Sequence, residues 1–327
     1  MRLTPPISGG YKPNTGAVVA PGTWIGTAQM TNKFNVYEAI TANIITALEA
    51  GVAGAKLPWH VSSTANLIPV NAVTGKEYSG SNILNLWLTA QANGYSSCRW
   101  ATFKQWADVG ATVRKGERGT VCIYYRTLEK ERDNGTVDRI PLARAFWLFN
   151  AAQVDGDVNA PAPAPTADLT ARIATADAAV AATGAVIIGG GDRAFYRAST
   201  DEIHIPARAA FTGTQTQTAT EGYYATLLHE LAHWTGHKSR LDRKLGSGFG
   251  TEGYACEELV AELGAAFLCA RLSVSNEPRA DHAQYLASWL KALKNDNRAI
   301  IRAASAAGAA ADYVLAFSAA QEVQKAA

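Results

Sequence analysis

The chain has 327 residues, 48% hydrophobic and 18% charged, with a formal net charge of +2. That is enough apolar material for two cores and too balanced a chain for wholesale disorder. No apolar run approaches the length of a bilayer-crossing helix, so no membrane partner is expected. The first 29 residues carry only Arg2 and Lys12 and lack the apolar stretch of a secretory signal. Cys98, Cys122, Cys256 and Cys269 form no CxxC pair, which argues against a disulfide framework, reads as four buried thiols and fits a reducing cytoplasm.

In chain order, residues 1–29 read as a flexible leader. The recurrence of Val36, Ile40, Ile44 and Leu48 predicts an amphipathic helix over 35–49, with Gly51 after it. Leu57-Pro-Trp59 interrupts regular structure, and His60 behind it reads as a hydrogen-bonded structural residue. A second helix is predicted from an N-cap at Ser81 to a stop at Gly94, and a third from Thr102 to Val109. Two strands, Thr120 to Arg126 and Ala143 to Phe149, flank a polar stretch whose turn falls at Asn134-Gly135. Three Ala-Pro pairs at 160–165 force an extended spacer, which sets a front domain at 30–154, a linker at 155–167 and a rear domain at 168–327. Behind it come an alanine-rich helix (168–182), short strands near 185–188, 193–197 and 202–205, and helices over 221–236, 253–272, 280–294 and 296–316. The fold class is α+β with two domains, not a doubly wound sheet.

The stretch Tyr224-Ala-Thr-Leu-Leu-His-Glu-Leu-Ala-His-Trp-Thr-Gly236 contains His-Glu-x-x-His. Four residues on a helix return to nearly the same face, so His229 and His233 can share one divalent ion, zinc first, with manganese or another ion as substitutes. Glu230, one step round, is the expected general base for hydrolysis of a peptide bond. Tyr223 and Tyr254 are both available to steady an oxyanion. For the third ligand there are two sources. His237 would need the helix to continue, and the position six residues after His233 is Ser239. The alternative is an acid of Glu257, Glu258 and Glu262. Buried acids beside an apolar row need a cation, and Glu258 is taken as the ligand, with Glu262 orienting a histidine and Glu257 in reserve.

The front half is slightly basic and interleaves aromatics with cations. Arg99, Trp100, Lys104, Trp106, Arg114, Lys115, Arg118, Tyr124, Tyr125 and Arg126 offer the stacking platforms and phosphate partners that single-stranded nucleic acid requires. Trp100, Phe103 and Trp106 also recur at helical spacing, the mark of core packing.

These residues together resemble ArdC-type plasmid antirestriction proteins. The front-domain match is carried by Phe34-Asn-Val-Tyr-Glu38, Leu57-Pro-Trp59, Thr74-Gly-Lys-Glu-Tyr-Ser-Gly80, Thr102-Phe-Lys-Gln-Trp106, Gly110-Ala-Thr-Val-Arg-Lys-Gly116 and Phe146-Trp-Leu-Phe-Asn150. In the rear domain it is carried by Leu228-His-Glu-Leu-Ala-His-Trp-Thr-Gly236, Arg240-Leu-Asp-Arg243 and Glu257-Glu-Leu-Val-Ala-Glu-Leu-Gly264. The resemblance implies a front domain that binds single-stranded DNA, a zincin-like metallopeptidase behind it, and protection of plasmid DNA entering a bacterial cytoplasm by conjugation. The protein substrate is left open. The front domain also resembles that of certain conjugative primases, which carry a different rear domain. A protein that coats DNA around a structural or vestigial metal site is the alternative.

Overall fold

The computed structural model describes residues 34–52, 57, 59, 68–131, 137–156, 168–244, 252–276 and 282–326. The leader, His60, the Asn134-Gly135 turn and the linker from 157 onward lie outside the described residues, as does the side chain of Arg126. Residues 35–327 form one compact unit.

The first helix, α1 (Val36–Val52), begins where the Asn35 side chain accepts from the amide of Tyr37 at 3.1 Å. Ile40, Ile44 and Leu48, spaced four residues apart along it, are wholly buried. α2 (Ser81–Asn93) starts one residue earlier than expected. Gly80, at a left-handed φ of 58°, occupies the cap position without a side-chain bond, and Ser81 is the first helical residue. Gly94 closes the helix in the left-handed helical region, at φ 66° and ψ 28°, where the sequence predicts the stop. α3 (Phe103–Asp108) is capped by Thr102 and Gln105 in a reciprocal box.

Four strands make the front sheet: β1 (Val70–Asn71), β2 (Arg99–Ala101), β4 (Thr120–Glu131) and β5 (Val137–Asn150), in the order β1-β2-β5-β4. A two-stranded ribbon of β3 (Thr112–Val113) and β6 (Val154–Asp155) lies beside it. The β4–β5 hairpin runs further than predicted, because the polar stretch pairs in register as far as Glu131 with Val137. β4 is the edge strand, and α2 covers it with amides. Asn82 both accepts from and donates to the backbone of Ile123, and Asn85 donates to the Val121 carbonyl at 2.7 Å. Edge groups that would otherwise recruit another strand are thereby satisfied.

In the rear, α4 (Leu169–Ala182) precedes a small sheet of β7 (Val186–Gly189), β8 (Phe195–Arg197) and β9 (Glu202–Ile205), ordered β7-β9-β8. Four helices follow: α5 (Ala219–Thr235), α6 (Glu252–Leu272), α7 (His282–Asn295) and α8 (Ala299–Ala326). One departure from the sequence reading lies in α8, whose Ala299–Ala320 stretch is long and apolar enough to cross a membrane by length and composition. Its row Ile300, Ala304, Ala307, Ala311 and Val314 is spent inside the protein, where α8 packs along α6.

The two regions share one apolar core, which runs from Val36 and Ile40 to Phe267 and Val314. Trp87 of α2 meets Phe267 of α6 at 5.8 Å between ring centroids, and Arg271 of α6 reaches Glu77 in the front region at 2.9 Å. Cys122 and Cys269 are buried, and burial pushes both thiols up. Cys98 and Cys256 are only half-buried, against the expectation for all four.

Candidate metal centre

The centre is built between α5 and α6. Thr218 and Glu221 cap the start of α5, and the buried Glu221 also bonds Arg172 at 3.0 Å and Ser275, which anchors the helix. At its other end Gly236 keeps a right-handed φ of −76°, so its lack of a side chain is not needed for conformation. The last carbonyls are instead taken by arginines, with Arg240 donating to Trp234 and Arg243 to Ala232.

One turn apart on α5, His229 and His233 face each other with their Nε2 atoms 3.2 Å apart. Glu258 of α6 bridges them, one carboxylate oxygen 3.5 Å from His229 Nε2 and the other 3.6 Å from His233 Nε2. Ligand atoms of these three side chains lie within 4.8 Å of one another. Ligands about 2.0–2.1 Å from a tetrahedral ion are separated by roughly 3.3 Å, so the spacings fit one divalent cation. The remaining ring nitrogens point at acids: His233 Nδ1 lies 3.3 Å from Glu257 and His229 Nδ1 3.7 Å from Glu262. Carboxylates on the Nδ1 side favour the tautomer whose Nε2 lone pair is free to ligate.

The electrostatics agree. Glu230, Glu257, Glu258 and Glu262 are all buried, an arrangement that is costly without positive charge. Burial opposes a charged ring at His233, yet the Glu257 and Glu258 carboxylates outweigh it, and its pKa is pushed up to about 10. Burial likewise raises Glu258, but the two imidazoles overcome it and hold the acid far below the usual carboxylate range. A proton on His233 can answer this demand in part, whereas one divalent ion answers all three donors at once.

Of the later acids, Glu258 is the one brought into the cluster with the two histidines, and Glu262 lies on the Nδ1 side of His229. Glu257, held in reserve by the sequence reading, is the acid beside His233 and is also gripped by Arg243 at 2.8 Å. His237 turns away, its Nδ1 taken by the Ser239 hydroxyl at 2.7 Å. Tyr223 packs edge-on to Phe211 and Tyr224 beneath the Arg208 guanidinium, and Tyr254 lies partly buried against the core.

The front-domain candidates divide. Trp100 and Trp106 are each 1% exposed and cannot stack on a base. Trp100 sits in a cluster with Leu86, Cys122 and Leu148, and Trp106 donates its indole N–H to the Phe149 carbonyl. Arg114 is committed to Glu117 at 2.9 Å and to the Ala152 carbonyl, and Arg99 donates to the Ala72 carbonyl at 2.7 Å. Lys104, Lys115, Arg118, Tyr124 and Tyr125 are exposed. Two further aromatics of this region are exposed. Phe103, assigned to the core by its spacing, is 59% exposed, and Trp147 is 48% exposed. Phe149 lies between them, edge-on to Phe103 at 6.3 Å, and Gly119 leaves room where a Cβ would meet Trp147 Cβ at 3.0 Å. The signal was present in the alternation of β5: counted from the buried Leu148, Trp147 falls on the other face.

Comparison with known proteins is consistent across the chain. Residues 34–149 match the family model described as the N-terminal domain of anti-restriction factor ArdC, and residues 174–306 match that of a zincin-like metallopeptidase. The uncharacterized protein y4eC of Sinorhizobium fredii is 42% identical over 86% of this chain and 91% of its own length. A DNA primase TraC of Escherichia coli is 40% identical, but the matched part is only 27% of that protein. Two crystal structures of the antirestriction ArdC protein from plasmid R388 are similar throughout. The metal-free form is 39% identical with a TM-score of 0.72, the Mn(II)-bound form 38% with 0.71, and each match covers 88% of this chain and 99% of the other.

Proposed function

The chain belongs to the ArdC antirestriction family, and from that premise we propose that it binds single-stranded DNA and carries a divalent-metal peptidase centre. Together these would protect plasmid DNA entering a bacterial cytoplasm by conjugation. The observation that carries the reading is the convergence of His229, His233 and Glu258 on one point. The Mn(II)-bound R388 structure supports a divalent ion there, with zinc the first choice on donor chemistry.

When bound, such an ion supplies Lewis acidity toward water and an amide carbonyl. His229, His233 and Glu258 hold it, while Glu257 and Glu262 fix the two rings. Glu230, buried beside His229, takes the proton of the attacking water and returns it to the leaving amine. On the front region, bases rest on Phe103 and Trp147, with Lys104 and Arg118 toward the phosphates.

Metal analysis of the purified protein, with cleavage of protein substrates assayed with and without single-stranded DNA, tests the reading. Glu230→Gln is expected to keep the metal and lose roughly 10²–10⁴-fold in turnover. Equal turnover in the variant would end the peptidase assignment. A second reading, a DNA-coating protein whose ion merely clamps α5 to α6, is favoured by how deeply the cluster is buried, His229 being 2% exposed. It predicts that Glu230→Gln leaves DNA protection intact.

A further inference from the structure

Arg243 lies on the turn that follows α5, and its side chain is only 12% exposed. Its guanidinium holds Glu257 with two bonds, 2.8 Å to Oε1 and 3.2 Å from Nε to Oε2. The same group donates to the Ala232 carbonyl at 2.7 Å and to the Thr235 hydroxyl at 2.8 Å, so it ties the end of α5 to the start of α6. Glu257 in turn faces His233 Nδ1 at 3.3 Å.

We propose that Arg243 is a positioning residue: acting through Glu257, it aims His233 Nε2 at the divalent-ion site and keeps Glu257 itself out of the ligand set. The inference rests on the metal reading above. A two-bond grip fixes the plane of the Glu257 carboxylate, and a fixed acceptor at Nδ1 stops the imidazole from turning about its χ2. Glu257 and Glu258 are adjacent buried acids, and only one bridges the histidines. The guanidinium supplies the reason, because it already neutralises Glu257 and leaves Glu258 as the acid that needs the ion.

A merely structural role is the competing explanation, since arginine at a helix C-terminus also caps carbonyls and favours the dipole. Arg240 provides the control. It caps the same helix end at Trp234 and pairs with Asp201, but makes no bond to Glu257. Zinc and manganese affinities of the full chain would be read by competition with a chromophoric chelator, beside thermal unfolding and the Co(II) absorption spectrum. Arg243→Gln and Glu257→Gln are expected to weaken zinc by ~10–100-fold and to alter the Co(II) spectrum, with Arg243→Lys partly restoring both. Arg240→Gln is expected to lose stability while binding zinc as the wild type does. Wild-type affinity in Arg243→Gln, or equal weakening in Arg240→Gln, overturns the proposal. Should Arg243→Gln fail to fold, unchanged affinity in both Arg243→Lys and Glu257→Gln overturns it instead. A wild-type protein that binds no ion would remove the metal reading itself, a different outcome.

Discussion

The metal cluster and the front aromatic surface are made of opposite materials. In the rear, the buried His229, the nearly buried His233 and several buried acids lie between two helices, and each ring has a carboxylate on its Nδ1 side. In the front, Phe103 and Trp147 stand out in solvent from a helix start and a strand, Phe103 resting edge-on against Phe149. A buried polar cluster has few ways to exist and so announces its chemistry through geometry. An exposed aromatic surface is permissive, and its chemistry comes from many weak contacts added together.

The sharpest way to break that contrast is to remove one ligand. Glu258→Ala or His233→Ala is expected to weaken zinc roughly a thousandfold, about 4 kcal/mol of a typical ~12 kcal/mol site, as read by isothermal titration. A tenfold loss would mean the cluster is as permissive as the front surface. Next, Trp106→Ala should lower unfolding free energy by roughly 3 kcal/mol in urea titrations and affect DNA only through folding. Phe103→Ala and Trp147→Ala should do the reverse. Each is expected to lose about 1–3 kcal/mol of affinity for single-stranded DNA, measured by fluorescence anisotropy, with the melting temperature unchanged. If Trp147→Ala binds DNA normally, the bases stack elsewhere. The smallest effect concerns the approach of α5 to α6. A Cβ on Gly264 would stand 3.1 Å from Ala232 Cβ, so Gly264→Ala sets a helix-propensity gain of about 1 kcal/mol against that compression. Its stability should therefore stay within about 1 kcal/mol of wild type, whereas Gly264→Leu should separate the helices and cost metal affinity as well.

Much of this was legible beforehand for a definite reason. The helix over Ala219–Thr235, its two histidines on one face, the close of α2 at Gly94 and the short α3 follow from helical period and local capping, which act within a few residues. From the cost of burying carboxylates the sequence reading took Glu258 as the third ligand, with Glu257 and Glu262 beside it. Placing Glu258 against both histidines, and Glu257 between Arg243 and His233, required the rotation of α6 about its own axis. Neighbouring residues differ by about 100° around a helix, and only its packing against α5 sets that angle. The aromatics behaved the same way. Spacing alone grouped Phe103 with Trp100 and Trp106, yet Phe103 lies exposed at the first turn of a six-residue helix, outside the two separate clusters that enclose the tryptophans. Local geometry was therefore written in the sequence, while which face meets a partner was decided by contacts between residues far apart in the chain.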